Sequence, residues 1–113
     1  MNINGVELEL DIYDADTAEK YEKALEDVQD IEDKVRGMKV SESIRTQCNI
    51  IFGIFNDLFG KGTDKKVFGD KVNLLTCLKA FEELVIQSNE QKGELERIVS
   101  KYSPNRAQRR IKK

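Results

Sequence analysis

The sequence predicts a mainly α protein, a small bundle of three to four helices with a short N-terminal β-hairpin and a flexible basic C-terminal tail. Three observations carry this expectation. Apolar residues recur at helical spacing through three long stretches, and an Asn-Gly pair near the start is followed by residues alternating at period two. The closing residues hold one large apolar side chain, Ile111, among arginines and lysines. A chain of 113 residues fits a single domain. We place that domain at 1–103 and the tail at 104–113.

The hairpin rests on Asn4-Gly5 between Ile3 and Val6, the residue pair that a two-residue β-turn favours. After it, Val6, Leu8, Leu10 and Ile12 alternate with Glu7, Glu9 and Asp11 as a half-buried strand does. The strand before the turn is about three residues, so the pair needs support from the helices or from another chain.

Asp16-Thr17-Ala18-Glu19 has the spacing of a capping box and is expected to start the first helix. From there Ala18, Tyr21, Ala24, Leu25, Val28, Ile31, Val35 and Met38 lie on one stripe, as a coiled-coil seam or a bundle helix would place them. The opposite face is acidic. Glu19 with Lys23, Asp30 with Lys34 and Glu32 with Arg36 stand four apart, a spacing that supports ion pairs.

Ser41 or Ser43 is expected to cap a second helix reaching Phe59. Ile44, Cys48, Ile51, Phe55 and Leu58 form its stripe, and Ile50, Phe52, Ile54 and Phe59 widen it past the usual apolar arc. So greasy a helix is either covered on several sides or offers surface to a partner. In so short a chain, too little other apolar surface is found to cover it comfortably. The expected partner-binding residues are therefore Ile50, Ile51, Ile54, Phe55, Leu58, Phe59 and Phe68, as a groove or as the floor beneath one.

Gly60, Gly62 and Gly69 punctuate the link that follows, with Val67-Phe68 as a short apolar plug between two helices. Asp70 or Asn73 is expected to cap the third helix, which carries Leu74, Leu75, Leu78, Phe81, Leu84 and Val85. That helix either runs on through Leu95, Ile98 and Tyr102 or restarts near Ser88, with Gly93 as its weak point. Pro104 ends it.

No catalytic constellation is found. The chain has no histidine, which removes the usual general base and the commonest metal ligand. Gly60-Lys61-Gly62-Thr63 fails as a phosphate loop. Six residues separate Gly53 from Gly60 where four are needed, and Gly62 replaces the hydroxyl residue after the lysine. Cys48 and Cys77 lack further ligands nearby and read as buried free thiols of a reducing compartment. No catalytic residue, metal or cofactor is expected, and the chain reads as a non-enzyme. No leader and no apolar run long enough for a bilayer is seen, so no membrane association is expected.

Charge is uneven. Residues 1–33 carry twelve acids against Lys20 and Lys23, whereas 101–113 carry six bases and no acid. Such polarity marks interaction surfaces. Arg106, Arg109 and Arg110 are the expected contacts of the tail. Nucleic acid is the weaker reading, because Tyr102 alone stands near as a stacking group.

Three segments carry a resemblance. They are Met1-Asn2-Ile3-Asn4-Gly5 with Tyr21-Glu22-Lys23-Ala24-Leu25; Asn56-Asp57-Leu58-Phe59-Gly60-Lys61-Gly62-Thr63 with Val67-Phe68-Gly69; and Lys101-Tyr102-Ser103-Pro104-Asn105-Arg106-Ala107-Gln108-Arg109-Arg110. Together they resemble the short tail assembly chaperones from tail gene clusters of long-tailed phages and prophages of Gram-positive bacteria. The resemblance implies a protein of the bacterial host cytoplasm that binds the tape measure protein and tail tube protein during assembly, and that self-associates. It also implies, as in many relatives of that kind, a longer frameshifted form. Other readings are a structural virion or adaptor protein of the tail, and a small nucleic-acid-binding regulator acting through its basic end.

Overall fold

The computed structural model describes residues 1–102, and these are mainly helical behind a short N-terminal hairpin. The hairpin pairs β1 (Asn2–Ile3) with β2 (Val6–Glu7), antiparallel, with Ile3 opposite Val6. Asn4 and Gly5 both take positive φ, 52° and 81°, the backbone that a tight hairpin turn requires. The expected strand to Ile12 is shorter than its alternation suggests. Leu8 still exchanges bonds with Met1, its N–H donating to the Met1 carbonyl at 2.7 Å, and beyond it Leu10 and Ile12 turn inward and are buried.

The helix α1 (Ala15–Gln29) begins on Asp14 rather than on Asp16. Asp14 Oδ2 accepts from the Thr17 backbone N–H at 3.1 Å and from the Thr17 hydroxyl at 3.1 Å. Asp16 instead sits in the first turn, where a carboxylate still suits the helix dipole. The expected long stripe to Met38 is broken at Asp30, after which α2 (Ile31–Val35) continues for five residues with Ile31 buried. Of the three expected i,i+4 pairs, none closes among the described residues; Arg36 turns instead to Asp33 at 2.8 Å.

The central helix α3 (Val40–Phe59) touches every other helix of the described chain. Its start is capped by neither Ser41 nor Ser43. Lys39 holds the N-cap position in extended backbone and no side chain closes the turn. Gly60 ends it at φ 110°, a conformation open to a residue without Cβ. The expected apolar plug is a helix, α4 (Thr63–Phe68). The Asn56 side chain, from the last turns of α3, accepts from the Asp64 N–H at 3.0 Å and so folds α4 against α3.

The helix α5 (Leu74–Tyr102) starts on Asn73, whose Oδ1 accepts from the Thr76 N–H at 3.1 Å, and it runs through Gly93 unbroken. At 1.5 Å per residue its 29 residues extend about 43 Å. The core lies where α3 meets α1, α4 and α5. Ile3, Tyr21, Cys48, Ile51, Phe55, Cys77 and Leu84 are all almost fully enclosed there. Large apolar side chains buried so completely stabilise by roughly 1.5–3 kcal/mol each.

Candidate partner-binding surface

The seven apolar residues expected to meet a partner lie mainly inside. Ile51, Ile54, Phe55 and Phe68 are buried, and Ile50, Leu58 and Phe59 are half-buried. The Phe68 ring meets Phe55 edge-on at 5.3 Å between centroids and lies 5.0 Å from Phe52, while Phe59 lies 5.7 Å from Phe55. These contacts make a packed aromatic layer between α3 and α4. Much of the greasy surplus of α3 is thus covered, because α1, α4 and α5 all pack on it, while Ile50, Phe52, Leu58 and Phe59 stay half-buried. Arg106, Arg109 and Arg110 lie outside the described residues.

Apolar surface that does reach water is concentrated on α5. Leu75, Leu78 and Ile86 share one side of that helix and are 61%, 40% and 50% exposed. Lys79 and Glu82 stand between them, and Val72 adds a further exposed apolar group just before the helix begins. The opposite side, with Cys77, Ala80, Leu84 and Ser88, faces the core. A helix whose inner face is satisfied has no folding reason for an outer stripe of this kind, which is the pattern of a helix that docks another. Sequence periodicity could have located it. The signal was masked because Leu75 and Leu78 were counted with the core stripe rather than across from it.

A second apolar opening lies further along. The inner stripe of α5 continues into Leu95 and Ile98, which are 45% and 47% exposed. A cleft of about 430 Å³ forms where Leu95 and Glu96 face Ile12, Tyr13, Tyr21 and Glu22. Lys92 also lines it, with Nζ 5.3 Å from the centre of the Tyr21 ring.

The N-terminal segment is fixed to α5 by three polar side chains four residues apart. Glu83 accepts from the Asn4 N–H at 3.1 Å, Gln87 donates to the Asn2 carbonyl at 2.7 Å, and Gln91 contacts the backbone at Leu10 and Ile12. Asn4 Nδ2 adds a bond to the Val67 carbonyl at 2.6 Å, tying the turn to α4. Asn4 is legible in the sequence as a turn residue, whereas Glu83, Gln87 and Gln91 carry no such signal.

The cysteines are free, buried and turned toward one another across α3 and α5. Burial, then the neighbouring Cys48 thiol, pushes the Cys77 thiol up to about 12. At neutral pH it is therefore protonated and unreactive. Burial likewise raises the Tyr21 hydroxyl, with the Ser88 hydroxyl pulling partly the other way. Ser88 Oγ itself is enclosed and finds no well-aligned hydrogen-bond partner. Among the described residues no cluster of His, Cys, Asp or Glu could hold a metal ion, and no helix is long and apolar enough to cross a membrane.

With this geometry in view, one comparison is decisive. A family of unknown function, DUF6673, matches residues 4–113. The chain belongs to that family. The match takes in the hairpin turn, every described helix and the basic end of this DUF6673 protein. Neither the curated proteins nor the solved structures contain a match to it.

Proposed function

We propose that this protein is a non-enzymatic assembly chaperone of long-tailed phages and prophages, working in the bacterial host cytoplasm and holding an amphipathic helix of the tape measure protein against the outer side of α5. The observation that supports binding is the exposed stripe of Leu75, Leu78 and Ile86, set on a helix whose other side is already committed to the core. The assembly role is supported by the resemblance carried in the residues quoted above. In this reading α3 and its phenylalanines are the rigid floor, and α5 is the surface that meets the client. Tail tube subunits, or further copies of the chain, are brought to the same complex.

The test is co-expression with the tape measure protein and with the tube protein, followed by capture on this chain. Capture of tape measure protein that Leu75→Ser and Ile86→Ser together abolish, with the helical spectrum retained, is the expected result. Capture unaffected by those changes would remove the stripe from the account. Finding the chain in purified mature particles would instead favour a structural tail protein.

A further inference from the structure

We propose that, in the absence of a client, the outer stripe of α5 is closed by the same stripe of a second copy of this chain, the two helices lying antiparallel about a twofold axis that passes between Ala80 and Phe81. The proposal rests on the reading of this stripe as the client surface and adds what covers it when no client is bound.

The outer face of α5, with the residues just before it, is a palindrome in which charge is reversed. In an antiparallel pair, residues equidistant from the midpoint come opposite one another. Leu75 meets the partner's Ile86, Lys79 meets the partner's Glu82, and Lys71 comes near the partner's Glu90, each contact occurring twice. All of these positions face outward. Leu75 and Ile86 are 61% and 50% exposed, and Lys71, Lys79, Glu82 and Glu90 are exposed as well. Among the described residues, no ion pair engages these four charged side chains.

This charge order selects both the occupant and its direction. Any helix laid on the stripe must meet a lysine and a glutamate set between the leucine and the isoleucine. A second copy running antiparallel supplies the opposite charge at each point, together with an apolar residue at Leu75 and at Ile86. A parallel copy would set Lys79 against Lys79 and Glu82 against Glu82, which opposes that arrangement. The pairing leaves the fold untouched, because Cys77, Ala80, Leu84 and Ser88 on the inner side stay in the core.

The contact is small. From Leu74 to Glu90 the helix runs about 24 Å, and it is about 10 Å wide. The area buried falls well below the roughly 1,200 Å² at which lasting complexes begin. The dimer is therefore weak and exchanges readily, so that a client helix with a longer apolar face displaces it.

The test is sedimentation velocity of the full chain over a concentration series, for the parent, Lys79→Glu and Glu82→Lys. The parent is expected to pass from monomer to dimer as concentration rises. Each variant sets like charges against one another at both central contacts and is expected to pair at least about tenfold more weakly, with its helical spectrum retained. An equimolar mixture of the two variants is expected to regain parental pairing, since every central contact again joins opposite charges. A parent that stays monomeric would overturn the proposal, as would a dimer that neither variant weakens or a mixture that fails to recover. Client capture that Leu75→Ser with Ile86→Ser abolishes, from a parent that never pairs, would overturn the dimer and leave the client reading standing. Pairing with the charge-swap pattern, alongside capture insensitive to those two changes, would support the dimer and remove the client from the stripe.

Discussion

The Gln91 side chain and the Ile12 backbone are joined across the N-terminal seam. Gln91 Oε1 accepts from the Ile12 N–H at 3.2 Å, while its Nε2 donates to the Leu10 carbonyl at 2.9 Å. Both bonds are part-buried and span about eighty residues of sequence. They bring Ile12 onto α5 and so form one wall of the cleft.

Gln91→Ala removes both bonds and leaves the Ile12 amide without a partner. The expected cost is about 1–3 kcal/mol in urea unfolding. Hydrogen exchange of the Leu10 to Ile12 amides should accelerate more than that of α3, which a uniform loss of stability would not produce.

Helix initiation offers a second check, because sequence and structure name different caps. Asp14→Ala should cost about 1 kcal/mol through loss of the bond to the Thr17 amide, whereas Asp16→Ala should cost only a few tenths. Thermal melts of the two variants decide it, and the reverse order would return the cap to Asp16.

Alkaline pH should weaken the fold through Cys77. Its thiol is held protonated to about 12, against an ordinary value of 9.0, so the unfolded chain loses that proton first. The contribution is intact below pH 9 and is lost as pH rises from 9 toward 12, with a slope of about 1.4 kcal/mol per pH unit for one group. Tyr21, raised by burial from 10.0, acts in the same direction. Urea midpoints measured across this range should fall less steeply for Cys77→Ala than for the parent chain. At pH 8, iodoacetamide should leave the folded chain unmodified and alkylate both cysteines once it is unfolded.

Phe55 and Leu75 should separate packing from binding. Phe55→Ala opens a cavity in the layer formed with Phe59 and Phe68, for an expected loss of about 3–5 kcal/mol in urea unfolding. Leu75→Ser alters a side chain that is 61% exposed and should change stability by less than about 0.5 kcal/mol.

Much of the fold was legible because it is local. Asn4-Gly5 implies its turn, Asn73 caps α5, and the five phenylalanines mark the core between α3 and α5. What escaped was set by tertiary contact. Asp30 breaks the first stripe although its composition continues, Lys39 begins α3 without any side-chain cap, and Val67-Phe68 closes a helix of its own. Whether Ile51, Ile54 and Phe55 form a groove or the floor beneath one stays open in the sequence for the same reason, since their cover comes from elements distant in sequence. Periodicity counts apolar residues on a helix but does not say which of two stripes the rest of the chain will cover. On α5 both are populated, and only packing distinguishes Leu84 from Leu75.

The most direct measurement is the affinity of the purified chain for tape measure protein, compared between the parent, Leu75→Ser with Ile86→Ser, and Val40→Ser. Val40 is 77% exposed at the start of α3 and serves as an apolar change outside α5. The account predicts at least a tenfold loss, about 1.4 kcal/mol, for the double variant and parental affinity for Val40→Ser. Equal binding by all three chains would contradict it.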